Sequence, residues 1–469
     1  MLYIAGKWVK GEGEELKIHN PYTKKYIGST HLASQKQVDA AVEGAVLAKM
    51  AMRQLSGMEK SRILRTAMER LEARADEMAR LIVDEIAKPI KDAKGEVARG
   101  IYALKVAAEE AHRNEGIIMD LGGSVSGLNR KCYIEKAPRG IILGITPFNF
   151  PLNLVLHKVA PAIASGNCII IKSAPQSPLC ALEIAKLFDG LGLPDGALSI
   201  ISCDNTVAES LVRDERIDML SFTGSDTVGW HLKAISGRKH VALELGGNAC
   251  AIVHDPDLVD NAVERCAVSA YSHSGQSCIS VQNIFVRDDI YDDFLSKFTQ
   301  RMDGVRFGDP HDPDTSVSAL VDDRARAKIK ALIDSAVAGG GRIVSGGYRD
   351  DNCLPTLIID ITLDNPVCVN EAFAPVVNLH KYNKIDEVID FINNSSYGLQ
   401  AGIFTNNISV VNKLYNNIDI GGVVVRDVPT FRTDDMPYGG VKNSGIGKEG
   451  VRWAMDDMCY YKIKVVPND

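Results

Sequence analysis

The chain lacks most of the features that would assign it to a membrane, to secretion or to nucleic acid. No stretch approaches the roughly 18 apolar residues a membrane-spanning helix needs. The opening residues, MLYIAGKWVKGEGEE, hold no long apolar run and no signal-peptide pattern. No block of Lys and Arg stands out, and the net charge is −7, so nucleic acid is not an expected partner. Among ten cysteines none forms a C-x-x-C pair or sits beside a His in ligand spacing, so no metal site is expected. Internal repeats and low-complexity segments are absent. A cytoplasmic globular protein is the expectation these absences leave. Its 469 residues exceed what one hydrophobic core holds, so two or three domains are expected.

What is present falls into three textures. Residues 35–115 carry apolar residues at three-to-four spacing between charges and read as helices. Residues 116–136 have glycines and alternation with no helical period, and read as a hairpin. From residue 139 strands alternate with helices: strands at 140–146, 167–171, 198–202, 218–223 and 241–245, with helices between. A second alternating block starts near Cys250, with strands at 283–286, 342–345, 376–380, 401–405 and 422–426. Apolar strands alternating with helices predict doubly wound parallel sheets, so the fold class is α/β. Gly246-Gly247 lies between the blocks, which puts a cleft at their junction.

Most cysteines, such as Cys168 in NCIIIK and Cys250 in NACAIV, sit in apolar runs and read as small buried hydrophobes. Cys278 differs, because Ser274-Gly275-Gln276-Ser277-Cys278-Ile279-Ser280 surrounds it with small polar residues. A thiolate nucleophile needs such a setting. Upstream, Leu243-Glu244-Leu245-Gly246-Gly247-Asn248 places a carboxylate in a Gly-rich turn, a candidate base. Thr146-Pro147-Phe148-Asn149-Phe150-Pro151 follows a buried strand, where an Asn amide can face an oxyanion. Lys172 ends a strand in Ile169-Ile170-Ile171-Lys172-Ser173-Ala174-Pro175, a place suited to a ribose or a phosphate. The run from Ser221 to Gly229 joins a strand to a helix through Gly224 and Ser225, as a pyrophosphate loop would.

Together with Glu371-Ala372-Phe373-Ala374-Pro375 and the run Pro437-Tyr438-Gly439-Gly440-Val441-Lys442-Asn443-Ser444-Gly445-Ile446-Gly447, these motifs resemble the aldehyde dehydrogenase superfamily, in order, over residues 140 to 450. The resemblance implies a Rossmann-like cofactor-binding domain at 1–117 and 137–245, a catalytic domain at 246–452, and a small β oligomerisation element at 118–136 and 453–469. It implies Cys278 as nucleophile, Glu244 as base, Asn149 as oxyanion donor and Lys158 as a helper in relaying the proton from the Glu. It also implies NAD or NADP as cofactor, held by Lys172, Gly224, Ser225, Gly229, Glu371 and Phe373. Many NAD-preferring members carry a Glu where this chain has Pro175, so the choice between the two cofactors stays open. Ser318-Ala319 stands where the family often has Gly-Pro.

Three basic residues, Arg99, His157 and Arg432, match positions that line the entry tunnel in relatives acting on lactaldehyde, glyceraldehyde 3-phosphate or phosphonoacetaldehyde. The expected substrate is therefore a small hydroxylated or anionic aldehyde, of lactaldehyde or glyceraldehyde 3-phosphate type, oxidised to the acid. Alternatives are phosphonoacetaldehyde, sulfolactaldehyde or succinate semialdehyde. Ser277 weakens the first, since that type has Arg before the Cys. A CoA-acylating enzyme, a non-catalytic member and an esterase are rival classes. Glu244 argues against the first, retention of Cys and Glu against the second, and the phosphate loop with Lys172 against the third. A homodimer or homotetramer is expected, with no membrane partner.

Overall fold

The strand Ile141–Ile145 and the run Cys168–Ile171 contain no polar side chain except a thiol, and both are buried throughout. Such strands need cover on both faces. The computed structural model, which describes residues 1–113 and 115–468, supplies it. Ile142, Ile169 and Ile171 pack under the helices Gly57–Ala73, Ile90–Glu110 and Asn153–Ala164. Leu143, Ile145 and Ile170 face the opposite way, against the helix Gln35–Gln54. Two of these helices start where the sequence marks them: Ser34 with Gln37, and Ser56 with Glu59, form capping boxes.

Five parallel strands form the centre of this sheet, in the order Leu198–Ile201, Cys168–Lys172, Ile141–Ile145, Met219–Thr223 and His240–Glu244. The chain winds outward to one side of Ile141–Ile145 and then to the other. Residues 146–151 and 223–225 therefore leave the sheet side by side at the reversal point, where a crevice opens beyond the strand ends.

A second sheet runs Arg342–Arg349, Asn352–Ile359, Val376–Tyr382, Val281–Arg287, Ala249–Val253, Gln400–Phe404 and Gly422–Val425, parallel except for its first pair. The strand Asn352–Ile359 is an addition to the sequence reading, and it carries Pro355, which cannot donate to a ladder. Here Pro355 lies opposite the register shift between Ser345 and Gly347, where the ladder is already broken. The helices Ile385–Asn394 and Ile408–Asn417 are likewise additions to the sequence reading.

The hairpin is formed by Ile117–Asp120 and Arg130–Pro138, and Cys459–Pro467 pairs along the latter to make a three-stranded sheet. Residues 451–457 are helical, so the terminal strand starts only at Cys459. Gly445–Ile446, expected with the second block, instead pairs antiparallel with His240–Glu244 and extends the first sheet. Glycine allows this approach: a Cβ on Gly445 would stand 2.1 Å from the Leu243 carbonyl oxygen. No helix among the described residues is long and apolar enough to cross a membrane.

Candidate active site

Cys278 follows the helix Val259–Tyr271 through a turn that sequence periodicity does not reveal. His273 and Ser274 in this turn take φ of 49° and 57°, and Gly275 takes 68°. A Cβ on Gly275 would lie 2.1 Å from the Ala374 carbonyl oxygen, so the turn is locked against the segment that carries Glu371 and Phe373. Further ties fix it. Ser274 Oγ donates to the Ser318 carbonyl at 3.1 Å and accepts the Ser318 N–H at 2.9 Å. Gln276 Oε1 accepts the Val321 N–H at 3.1 Å.

The helix Asn153–Ala164 is placed by a buried carboxylate. Glu96 Oε1 accepts the N–H groups of Leu152 and Asn153, at 2.9 and 3.1 Å, and its other oxygen pairs with buried Lys88. A carboxylate at this end complements the helix dipole. The helix thereby presents His157 and Lys158 on the site side.

A cavity of about 580 Å³ opens at the carboxyl ends of the first sheet's strands, with walls from both sheets. Asn149, Glu244, Cys278, Gly224, Ser225, Glu371, Phe373, Arg99 and Arg432 all line it. Cys278 Sγ stands 3.0 Å from the Tyr438 hydroxyl. Burial pushes the Cys278 thiol up to about 12, with Glu371 and Glu244 adding to the rise and Tyr438 and Arg432 opposing it. Glu244 is buried, and neither carboxyl oxygen has a hydrogen-bond partner among the described residues. Burial first, then the nearby Glu449 carboxylate, hold it well above the usual carboxylate range. Asn149 Nδ2 donates to the Gln276 carbonyl at 2.8 Å, which leaves the second N–H of that amide for another acceptor.

The three basic residues join one network but are not equivalent. Arg99 donates to Asp434 at 2.7 and 3.4 Å. His157 Nε2 lies 2.8 Å from Asp434 and its Nδ1 lies 3.0 Å from Arg432. His157 is only 2% exposed and is not part of the cavity wall, so both its nitrogens serve other side chains and it positions Arg432 and Asp434 rather than reaching a substrate tail. Arg432 donates to Glu449 at 3.1 Å, while its Nε has no partner. Burial alone would raise Asp434, but His157 and Arg99 bring it well below its usual value.

Lys158 Nζ donates to Thr223 at 2.8 Å, Ser221 at 3.0 Å and Glu449 at 3.2 Å. Its carboxylate partner is Glu449, and it also lies near enough to Glu244 to oppose the rise of that carboxyl. Burial opposes ionisation of Glu449, but Lys158, His157 and Arg432 hold its carboxyl well below the usual range. Two neighbouring carboxyl groups are therefore driven in opposite directions.

The remaining sequence candidates are split. Glu371 Oε1 accepts the Gly247 N–H at 3.0 Å, and burial pushes the carboxyl up to about 7. The Phe373 ring packs edge-on to Phe148 at 6.0 Å between centroids. Lys172 ends its strand buried, and that burial depresses its ammonium. Pro175 is exposed in the turn beyond. Gly229 faces inward: a Cβ there would meet Leu245 at 2.3 Å, so it sets helix packing and does not line the cavity. Tyr438, Asp434 and Glu449 were not singled out by sequence. Their signal was proximity: Asp434 lies two residues after Arg432, and Glu449 two after Gly447.

These residues fit a nicotinamide dinucleotide by their chemistry. A carboxyl in the cavity wall with one oxygen unbonded suits ribose hydroxyls, and a strand-to-helix turn at Gly224-Ser225 suits a pyrophosphate.

The model of the Aldehyde dehydrogenase family matches residues 8–464. The 3-sulfolactaldehyde dehydrogenase of Priestia aryabhattai is 36% identical over 468 residues, covering 99% of this chain and 97% of that protein. The lactaldehyde dehydrogenase of Methanococcus aeolicus is 34% identical over 472 residues, covering 99% of each. Among solved structures, the NADP-dependent glyceraldehyde-3-phosphate dehydrogenase of Bacillus halodurans, complexed with NADP, superposes with a TM-score of 0.96 at 31% identity, over 100% of this chain and 99% of that one.

Proposed function

The chain belongs to the aldehyde dehydrogenase family, and on that premise we propose that it oxidises a small hydroxylated or anionic aldehyde to its carboxylic acid with NAD or NADP. The observation that carries this reading is the single cavity shared by a thiol, an unpartnered carboxyl and a guanidinium with a free N–H. Cys278 sulfur attacks the aldehyde carbon and forms the C–S bond. The carbonyl oxygen gains charge and is met by Asn149 and the Cys278 backbone N–H. A nicotinamide cofactor, held by Lys172, Gly224, Ser225, Glu371 and Phe373, supplies the hydride acceptor when bound. Loss of the aldehyde's C–H hydride to that acceptor would leave a thioester on Cys278, and Glu244 takes a proton from water as the water's oxygen attacks the thioester carbon. The C–S bond breaks and the acid leaves. Glu244 favours this hydrolysis over transfer to CoA.

Arg432 Nε is the group we assign to the substrate's tail, with Arg99 nearer the mouth, each paired to a carboxylate that keeps it in place. Relatives acting on sulfolactaldehyde, lactaldehyde and glyceraldehyde 3-phosphate share short aldehydes with a polar tail, which supports the class. A panel of short aldehydes compared by kcat/KM tests it. Arg432→Ala should lower kcat/KM for polar-tailed aldehydes roughly tenfold to a hundredfold, as a charge-assisted hydrogen bond contributes about 1.5–3 kcal/mol. Propanal should lose only what Arg432 contributes to Cys278 and Tyr438, and the polar-tailed aldehydes should lose more by the stated factor; equal losses on both would remove Arg432 from the tail site.

Pro175 is read as permitting NADP, since no carboxylate stands there to repel a 2′-phosphate. Replacing it, Pro175→Glu should shift preference toward NAD in a comparison of the two cofactors. Rejection of NADP by the unmodified enzyme would defeat this reading. We retain the division into a cofactor-binding unit at 1–117 and 137–245, a catalytic unit at 246–452 and a β element for a homodimer or homotetramer. The exposed Ile117, Ile118, Tyr461 and Ile463 on that element support assembly. Ten free cysteines suit a reducing, cytoplasmic compartment.

A further inference from the structure

The Tyr438 hydroxyl lies 3.0 Å from the sulfur of Cys278, in the wall of the cavity where the aldehyde must enter. Tyr438 is only 4% exposed. Its ring packs with Ile279 and Leu399 and lies under the Arg432 guanidinium, 3.8 Å from the ring centroid. Its backbone is held as well. The Tyr438 N–H donates to the Glu449 carbonyl at 3.0 Å, and the Glu449 N–H donates back at 2.6 Å. Glu449 therefore fixes the ring twice: through its backbone, and through the carboxylate that holds Arg432 above it. A phenol this constrained, aimed at the only partly exposed thiol of ten, calls for a role. The resembled family run has Phe at this place, which would keep the packing and lose the hydroxyl.

We propose that the Tyr438 hydroxyl donates a hydrogen bond to Cys278 Sγ, and that this bond, held by the Arg432 stack, orients the sulfur for attack and stabilises its thiolate. The inference rests on Cys278 as the nucleophile. The charged and titratable groups around the pair are Glu244, Glu371 and Arg432. Two of these are acidic, and burial also disfavours a thiolate; Arg432 and the Tyr438 hydroxyl oppose both, and of the two the hydroxyl is the one within hydrogen-bond distance of the sulfur. Burial first, and then the adjacent Cys278, hold the Tyr438 phenol well above its ordinary value, so it keeps its proton and donates. When the thiol ionises, the S–H bond breaks, the electron pair stays on sulfur and the proton leaves to solvent water. The Tyr438 O–H bond is unchanged. Once sulfur carries the acyl group that pair is shared with carbon, and the hydrogen bond weakens. Tyr438 thus acts wherever sulfur carries the charge: when the nucleophile forms, and again when the thiolate leaves the acyl carbon.

The experiment measures alkylation of the intact enzyme by iodoacetamide across pH, with peptide mapping to identify the labelled cysteine. Losing a hydrogen bond to a charged group should make Tyr438→Phe alkylate about tenfold more slowly near pH 8, with its profile displaced upward by about one unit. The rate of the first turnover should fall in step with alkylation. Placing 3-fluorotyrosine at position 438 strengthens the donor and should move the profile the other way, which separates donation from any packing effect. Label on Cys278 with coincident profiles for all three proteins would overturn the inference and leave Cys278 as nucleophile. Label on a different cysteine would overturn both.

Discussion

Cys278→Ala should abolish dehydrogenase activity and leave cofactor binding intact. The other nine cysteines are buried, and burial pushes several of them far up, Cys168, Cys250 and Cys353 to about 12, so none can substitute from within its packed site. Cys278 is pushed equally high but differs in place: it is partly exposed, lines the cavity and has a hydroxyl, a guanidinium and a carboxyl around it. The variant removes one sulfur atom from a cavity wall, so the fold should be spared. A ligand bound only to the folded state at about 100 times its Kd stabilises by about 2.7 kcal/mol, so the cofactor should raise the thermal midpoint of variant and unmodified enzyme alike. Aldehyde oxidation within tenfold of the unmodified rate would remove Cys278 from the nucleophile's role.

Glu244→Gln should separate the two halves of the reaction. The amide keeps the shape but cannot take a proton. A positioned general base contributes about a hundredfold or more, so the steady rate should fall by at least about that factor. In stopped flow, a burst of reduced cofactor should precede a slow phase. The pH dependence has a definite sign. Burial and Glu449 raise the Glu244 carboxyl, so at low pH it is protonated and idle, and the deacylation rate of the unmodified enzyme climbs as pH rises through that raised value. The variant's slow phase should lose this climb. A proportional loss of burst and steady phases would place Glu244 in acylation instead.

The fold was largely legible because buried parallel strands leave an unmistakable trace in runs such as CIIIK and ACAIV. Strands failed to show where a local rule was broken and repaired elsewhere, as with Pro355 opposite its bulge. Cys278 and Glu244 stood out because small and Gly-rich residues surround them, and Asn149 because prolines hold it at the end of a buried strand in a motif shared with the family; all three line one cavity. The polar network was not. Lys158, expected to help relay a proton from Glu244, bonds Glu449, a residue the sequence did not single out, and His157 was expected at the substrate and lies behind Arg432. Partner choice among buried charges depends on three-dimensional reach, which spacing along one chain does not encode. Tyr438 stood inside a quoted motif, and only the distance to sulfur distinguishes it from a packing aromatic.

The pairing of Gly445–Ile446 with His240–Glu244 has a mechanical meaning. The ladder contains Glu244 itself, opposite Gly445, and the same stretch of chain carries Tyr438 to Cys278 a few residues earlier. Base and nucleophile come from different sheets, yet this seam rivets one to the other. A jaw-like opening between the halves would have to tear that seam. Reactants must therefore thread into an assembled chamber, and the distance between sulfur and carboxyl is set by the fold before any of them arrives.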